Sequence, residues 1–404
     1  MSSVRIHLDN YDNICYAGQT LVGRVECFFN TKKYIKAIRI SITGIAQTEW
    51  EDHEDYYDYE KKKNVSRKAR HYAEEKYFSA EYALLQGGEY FKLPAGRYNY
   101  PFSYILPTNI PSSYEGRYGK IRYCLQATVS RPDKSDYQDN LCLNVVSPLD
   151  LNTIPGLSDS VATSVDKTIY SCCCINSGRL TFKMSLPATG FVPRQEVSIG
   201  GHIENLSKIN VECIKFKIVG HIEFISQYPS RKTKYEEITV AECRESGVGA
   251  HGEKSWTSNI QIPEIHCYPN SSICGIMNVI FRVKATVVLS NSSTNLESEI
   301  PVTLGTIPLS GVNITFAGAP PPQIGFSLSP TAPPHEGNFV VPPYPTDESS
   351  KTYPTPEDVN LKVPVDPYPV TSTPSAPILS EMPCSSKGAE LNQAPPPSYD
   401  EANR

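Results

Sequence analysis

The stretch Ile35-Lys36-Ala37-Ile38-Arg39-Ile40-Ser41-Ile42-Thr43-Gly44 decides the fold. Ile38, Ile40 and Ile42 alternate with Arg39, Ser41 and Thr43, so an extended chain carries isoleucine on one face and polar groups on the other. A half-buried antiparallel strand requires that arrangement. The pattern returns 176 residues later as Val211-Glu212-Cys213-Ile214-Lys215-Phe216-Lys217-Ile218-Val219-Gly220. Two further pairs keep the same order: Gly23-Arg24-Val25-Glu26 with Gly201-His202-Ile203-Glu204 upstream, and Ala127-Thr128-Val129 with Ala285-Thr286-Val287 downstream. Three ordered matches predict one sandwich module used twice. Short strands between Gly, Pro, Asn and Asp turns dominate. Helical periodicity with caps is nearly absent, apart from an ambiguous charged stretch from Glu60 to Glu81.

The chain has 404 residues, room for two domains and an appendage. Twenty of its 34 prolines fall between Pro320 and Arg404, and that segment carries 4 Lys/Arg against 10 Asp/Glu. Residues 1–319 carry 34 and 33, so the formal charge of −5 belongs to the tail. A near-neutral body speaks against counterion-driven binding, and no nucleic acid is expected as a partner. Residues 1–152 read as a first sandwich, 153–166 as a linker, 167–310 as a second sandwich and 311–404 as a disordered tail. The start lacks the apolar run of a secretory signal, and the richest apolar stretch, Gly275–Leu289, is broken by Arg282 and Lys284. Twelve cysteines without such a signal read as reduced thiols of a cytoplasmic protein, and the sequons at Asn64, Asn205, Asn270, Asn291 and Asn313 as unused.

Several local patterns resemble chemistry without its context. Gly247-Val248-Gly249-Ala250-His251-Gly252 fits the dinucleotide spacing, but a strand-like run follows it where a helix N-terminus is needed, so it reads as a flexible hairpin loop. His202-Ile203-Glu204 and His221-Ile222-Glu223 lack the cysteine pair that would complete a zinc site, and they read as alternating polar positions on strands. Cys172, Cys173 and Cys174 are candidates for acylation, with core filling as the simpler reading. No nucleophile elbow is present. The expectation is no catalytic residues, no metal, no cofactor and no enzyme. The insertion Glu49–Lys76 opens acidic and tyrosine-rich and then turns basic. It reads as a solvated hairpin whose opposite charges sit together, with a site for acidic cargo tails or anionic lipid heads as the alternative.

Longer motifs resemble a known family. Lys92-Leu93-Pro94-Ala95-Gly96-Arg97-Tyr98-Asn99-Tyr100-Pro101-Phe102, Leu106-Pro107, Ser113-Tyr114-Glu115-Gly116, Gly119-Lys120-Ile121-Arg122-Tyr123 and Asp150-Leu151-Asn152 resemble the arrestin N-domain. Cys172–Gly178 followed by Gly190-Phe191-Val192-Pro193 resembles the start of the arrestin C-domain. The likeness, to the α-arrestins or arrestin domain-containing proteins, covers about residues 4–310. It implies an all-β fold of two tandem antiparallel β-sandwich (arrestin-like) domains with a disordered Pro-rich C-terminal tail. Where the family shows Pro-Gly-Glu near the start of each module, this chain has Ala17-Gly18-Gln19 and Pro193-Arg194-Gln195-Glu196.

The tail, poor in aliphatics, cannot bury enough apolar surface to offset its ordering entropy and favours polyproline II, which modular domains read. Pro396-Pro397-Ser398-Tyr399 is a full P-P-x-Y for a WW domain, whose aromatic rings clasp the prolines while Tyr399 fills a separate groove. Val341-Pro342-Pro343-Tyr344 is a weaker version resting on Pro342 and Tyr344. Pro330-Thr331-Ala332-Pro333 and Pro374-Ser375-Ala376-Pro377 match the P-[TS]-A-P tetrapeptide read by UEV domains of the ESCRT machinery.

The resemblance and the tail together imply an adaptor that recruits WW-domain HECT-type ubiquitin ligases to membrane receptors or transporters as cargo. It would be cytoplasmic, recruited to the plasma membrane and endosomes, with peripheral membrane contact. An ESCRT-recruiting scaffold for vesicle budding is the alternative, and a retromer-like structural coat subunit a remote one.

Overall fold

The computed structural model describes residues 2–311 except 10, 61, 171–175, 265–272 and 291–294, together with Phe339–Val340. The first sandwich is built from β1 (Ser3–Leu8), β2 (Cys15–Tyr16), β3 (Thr20–Phe29), β4 (Lys33–Asp58), β5 (Lys63–Leu93), β6 (Gly96–Ile105), β7 (Tyr114–Glu115), β8 (Gly119–Ser130), β9 (Tyr137–Leu143) and β10 (Val145–Val146). The second uses β11 (Val161–Tyr170), β12 (Asn176–Leu186), β13 (Gly190–Phe191), β14 (Glu196–Asn205), β15 (Val211–Ile225), β16 (Thr233–Ser246), β17 (Glu253–Gln261), β18 (Met277–Leu289) and β19 (Leu296–Leu304). Phe339–Val340 forms β20. Among the described residues there is no α-helix, only a 3₁₀ turn at Leu151–Thr153.

In the first sandwich a sheet ordered β1-β3-β6-β20 faces one ordered β5-β4-β8-β7, with β9 also on β8. In the second, β11-β12-β14-β17 faces β13-β19-β18-β15-β16. The sequence repeat is a repeat of position. Ile40 lies opposite Ala127 and Ile38 opposite Val129, and Phe216 and Ile214 lie opposite Ala285 and Val287 in the same way. Ile38, Ile40, Ile42, Ile214, Phe216 and Ile218 are wholly buried, as alternation on central strands demands. Both copies end in glycine because rings press on the strand there. A Cβ at Gly44 would sit 2.6 Å from Phe78, and one at Gly220 3.0 Å from Phe281.

The symmetry extends to features the sequence does not announce. Each sandwich has one two-residue parallel pair, β2 with β10 and β13 with β19. Each pair leads into the same glutamine-closed turn. The Tyr16 amide donates to Gln19 Oε1 at 2.9 Å, and the Val192 amide to Gln195 Oε1 at 3.0 Å. Gly18 and Arg194 occupy the left-handed position, with φ of 83° and 67°. The family's Pro-Gly-Glu turn is thus rebuilt with a glutamine amide as acceptor.

Three expectations need correction. The ambiguous charged stretch is strand from Lys63 to Glu81: Ala69, His71 and Ala73 are buried while Arg70, Tyr72 and Glu74 are exposed, a period of two carried by small and polar residues. The thiols are not all reduced, since Cys124 and Cys142, opposite each other on β8 and β9, form a disulfide. Cys15, Cys27, Cys213, Cys243 and Cys274 are not disulfide-bonded, and burial pushes the Cys27 thiol up to about 12. Gly247–Gly252 joins strands of opposite sheets and is no hairpin. It is pinned by the Val211 amide on Val248 O at 2.9 Å and the Asn205 amide on Gly252 O at 2.9 Å. In addition, β11 begins at Val161, inside the stretch read as linker.

Gln195 and the Val192 amide it serves are both buried. Gln195→Ala strands that donor, and denaturant titration should show a loss of about 1–3 kcal/mol, the cost of an unsatisfied buried hydrogen-bonding group.

Candidate partner-binding surfaces

Beyond the first sandwich's own sheet, β4 and β5 run on together as a two-stranded arm from Thr48–Asp58 to Lys63–Ala73. On the arm's outer face the acidic and basic runs meet across the ladder. Arg70 Nε donates to Glu49 Oε1 at 2.6 Å and Lys68 lies 3.8 Å from Glu51, while on the opposite face Arg67 Nη2 donates to Glu54 at 3.3 Å. The opposite charges therefore sit together, and these cations are matched on the arm itself.

The other face meets the second sandwich and is partly buried there. Thr48 Oγ1 donates to Ile225 O at 2.7 Å. Trp50, stacked on the buried His71, donates to Asp52 at 2.9 Å. Asp52 Oδ1 accepts from Lys234 Nζ at 2.6 Å, and Glu54 Oε1 from Lys232 Nζ at 2.6 Å. Lys234 beside Asp52 holds its carboxyl below the usual carboxylate range, and Lys232 does the same for Glu54. Tyr72 stacks on Tyr228 with ring centroids 5.3 Å apart, and its amide donates to Tyr228 O at 2.9 Å. Further in, the Gly275 amide donates to Glu75 Oε2 at 2.8 Å.

Below the polar contacts the two cores are continuous, in one cluster that includes Tyr114, Phe224 and Met277. Tyr118 meets Phe224 edge-on at 5.8 Å. Gly119 permits this approach, since a Cβ there would lie 2.7 Å from Met277 Sδ and 2.8 Å from Phe224. Burial raises the Tyr77 phenol and the Cys274 thiol, which face each other across the same contact.

Sequence reasoning missed Asp52, Glu54, Lys232 and Lys234 as a set. Their partners are 178 and 182 residues apart in the chain, and only the fold joins them. Of the decoys, His202 Nδ1 meets Ser255 Oγ at 2.9 Å and His221 Nε2 lies 3.5 Å from Glu237. Asn205, one of the sequon asparagines, is wholly buried, with its amide group on Ile209 O and Gly249 O. The tail motifs Pro330–Pro333, Val341–Tyr344, Pro374–Pro377 and Pro396–Tyr399 lie outside the described residues, as do Cys172, Cys173 and Cys174. Among the described helices none is long and apolar enough to cross a membrane.

The two sandwiches repeat the same central strand pairings and are joined through an arm of the first. Residues 4–152 match the family Arrestin (or S-antigen), N-terminal domain, and residues 176–309 match Arrestin (or S-antigen), C-terminal domain. The chain belongs to the α-arrestins. It is similar to Arrestin domain-containing protein 1 of Homo sapiens, 26% identical over 341 residues, covering 83% of this chain and 69% of that protein. It is also similar to Arrestin domain-containing protein 4 of Homo sapiens, 25% identical over 358 residues and covering 82% and 81%. Arrestin domain-containing protein 17 of Caenorhabditis elegans is 24% identical over 314 residues, covering 75% and 70%. Membership carries the family's general role of adaptor.

At the sandwich contact, Gly119→Ala should lower stability by about 1–3 kcal/mol, the range for overpacking a closed contact. In a double-mutant cycle Met277→Ala should recover part of that loss, because the added Cβ clashes with the thioether it removes.

Proposed function

We propose that this α-arrestin is an adaptor that brings a WW-domain HECT-type ubiquitin ligase to membrane receptors or transporters, for ubiquitination, endocytosis and endosomal sorting. The observation that carries the reading is Pro396-Pro397-Ser398-Tyr399 in a proline-rich tail behind a two-sandwich arrestin body. Such a segment binds a WW domain at small entropic cost because polyproline II is largely preformed. The second copy, at Pro342 and Tyr344, lacks the first proline and contributes a weaker grip. Where one ligase carries tandem WW domains, the two copies together add avidity.

The tail, residues 311–404, holds the ligase, while the body, residues 1–310, contacts cargo or the membrane surface from the cytoplasmic side. No bond is made or broken by the adaptor. It acts by raising the local concentration of ligase around its substrate. Tyr399→Ala should abolish most recovery of a WW-domain ligase in pull-down from cells, leaving the small remainder that Val341–Tyr344 supports. Undiminished recovery from this variant would overturn the reading.

A second reading rests on the paired tetrapeptides at Pro330–Pro333 and Pro374–Pro377. Two copies favour engagement of an ESCRT UEV-domain protein and outward budding of vesicles at the plasma membrane. Replacing Pro333 and Pro377 by alanine should stop vesicle release while ligase recovery through Tyr399 persists. Vesicle release at the unaltered level would exclude this second role.

A further inference from the structure

At the end of the first sandwich away from the arm, β3 turns into β4 and the β4–β5 ladder closes. Lys33 lies opposite Leu93, Tyr34 opposite Lys92 and Ile35 opposite Phe91. Strand alternation sorts these residues onto two faces. Ile35 and Leu93 are buried and Phe91 packs against the core. Tyr34, Tyr90 and Lys92 share the outer face, and all three are exposed. The rings of Tyr34 and Tyr90 meet edge to face with centroids 5.3 Å apart, yet 45% and 52% of these residues stays open to solvent. Lys32, in the turn, holds its Nζ 5.7 Å from the centre of the Tyr34 ring. Lys36, at the bulge between Ile35 and Ala37, is exposed as well.

The charge here is of one sign. Lys32 and Lys92 come close enough to hydrogen-bond each other, and that bond together with the Lys92 charge lowers the Lys32 ammonium from its ordinary value. Other cations of the same sandwich are met by carboxylates: Lys68 by Glu51, Arg70 by Glu49, and Arg97 at the start of β6 by Glu26. Among the described residues no carboxylate forms an ion pair with Lys32, Lys33, Lys36 or Lys92. Two amino groups held together in this way repel when both are charged, and an anion that reaches both relieves the repulsion.

We propose that this end of the first sandwich is a membrane-docking surface, where Lys32, Lys33, Lys36 and Lys92 attract an anionic lipid leaflet and Tyr34 and Tyr90 settle among its headgroups. The inference rests on the reading of the body as the part that meets the membrane and names the face that does so. Ligase recruitment through the tail does not depend on it.

The chemistry of the surface favours a leaflet over an acidic peptide. Peptides are held by added backbone hydrogen bonds or by side-chain pockets. This surface offers instead two half-exposed rings beside lysines on a turn and a strand end. A membrane interface takes such a combination, because the ring of a tyrosine enters the acyl boundary while its hydroxyl stays among the headgroups. Lysines on flexible stems reach the phosphates around it. Each cation near an anionic leaflet strengthens attachment roughly fivefold, so four of them give a reversible contact rather than a permanent anchor.

Flotation of the full chain with phosphatidylcholine vesicles holding about one part in three phosphatidylserine tests the proposal. The chain should float with these vesicles and stay behind with pure phosphatidylcholine. Lys32→Ala with Lys92→Ala should weaken binding at least about tenfold, and Tyr34→Ser with Tyr90→Ser should weaken it further. Lys68→Ala with Arg70→Ala removes as much charge from the arm, where it is matched, and should change binding less than about twofold. Equal loss from the arm variant, or none from the lysine pair at the tip, would overturn the proposal. The unaltered chain gives a second readout: vesicles should slow hydrogen–deuterium exchange in the peptides containing residues 31–36 and 90–93, and unchanged exchange there counts against docking by this face. Decaglutamate serves as the probe for a protein partner. If the lysine pair governs its binding while vesicle binding is unaffected, the surface belongs to an acidic polypeptide and the proposal falls. In each of these outcomes recovery of the ligase through Tyr399 is measured separately, so the failure of one reading is told apart from the failure of the other.

Discussion

Side chains at the even positions of β4, from Ile38 to Glu54, share one face of a single strand, and that face meets two different surroundings. Ile38, Ile40 and Ile42 fill the first sandwich. Gly44, Ala46 and Thr48 then shrink the face to let other groups in, and Trp50, Asp52 and Glu54 address the second sandwich. Because strand side chains alternate with a period of two, a slip of one residue would turn every one of these positions over at once. The packing of the first core and the docking of the second sandwich are therefore set by one register. The long ladder with β5, and the flanking pairing with β8, hold that register in place.

At the contact itself, apolar closeness and charge do different work. Phe224, Met277 and Tyr118 meet at a position where glycine is the residue that leaves room, and their burial there supplies attraction without direction. The Asp52–Lys234 and Glu54–Lys232 pairs are only partly buried, with about a fifth to two fifths of each side chain exposed. Pairs of that kind contribute about 0–1 kcal/mol each. Their value lies in specification, since a shifted contact would face carboxylate with carboxylate or leave the lysines without partners. Glu54 joins the two roles, because it also accepts from Arg67 on its own arm.

The parts of this architecture that could be read from the chain are those where alternation is written in isoleucine, valine and phenylalanine. The central strands β4 and β15 and their partners β8 and β18 announce themselves in that way, and so does the repeat that relates them. The strand β5 did not, because Ala69, His71 and Ala73 occupy its buried positions and none of them advertises a core. The arm was legible as a paired, charge-balanced hairpin, but its second face was not. Asp52 and Glu54 look like any surface carboxylates until the fold brings Lys234 and Lys232 to them. Cys124 and Cys142 likewise become neighbours only through the register of β8 on β9. The proline motifs stand at the opposite extreme, since their chemistry is local and needs no fold to be recognised.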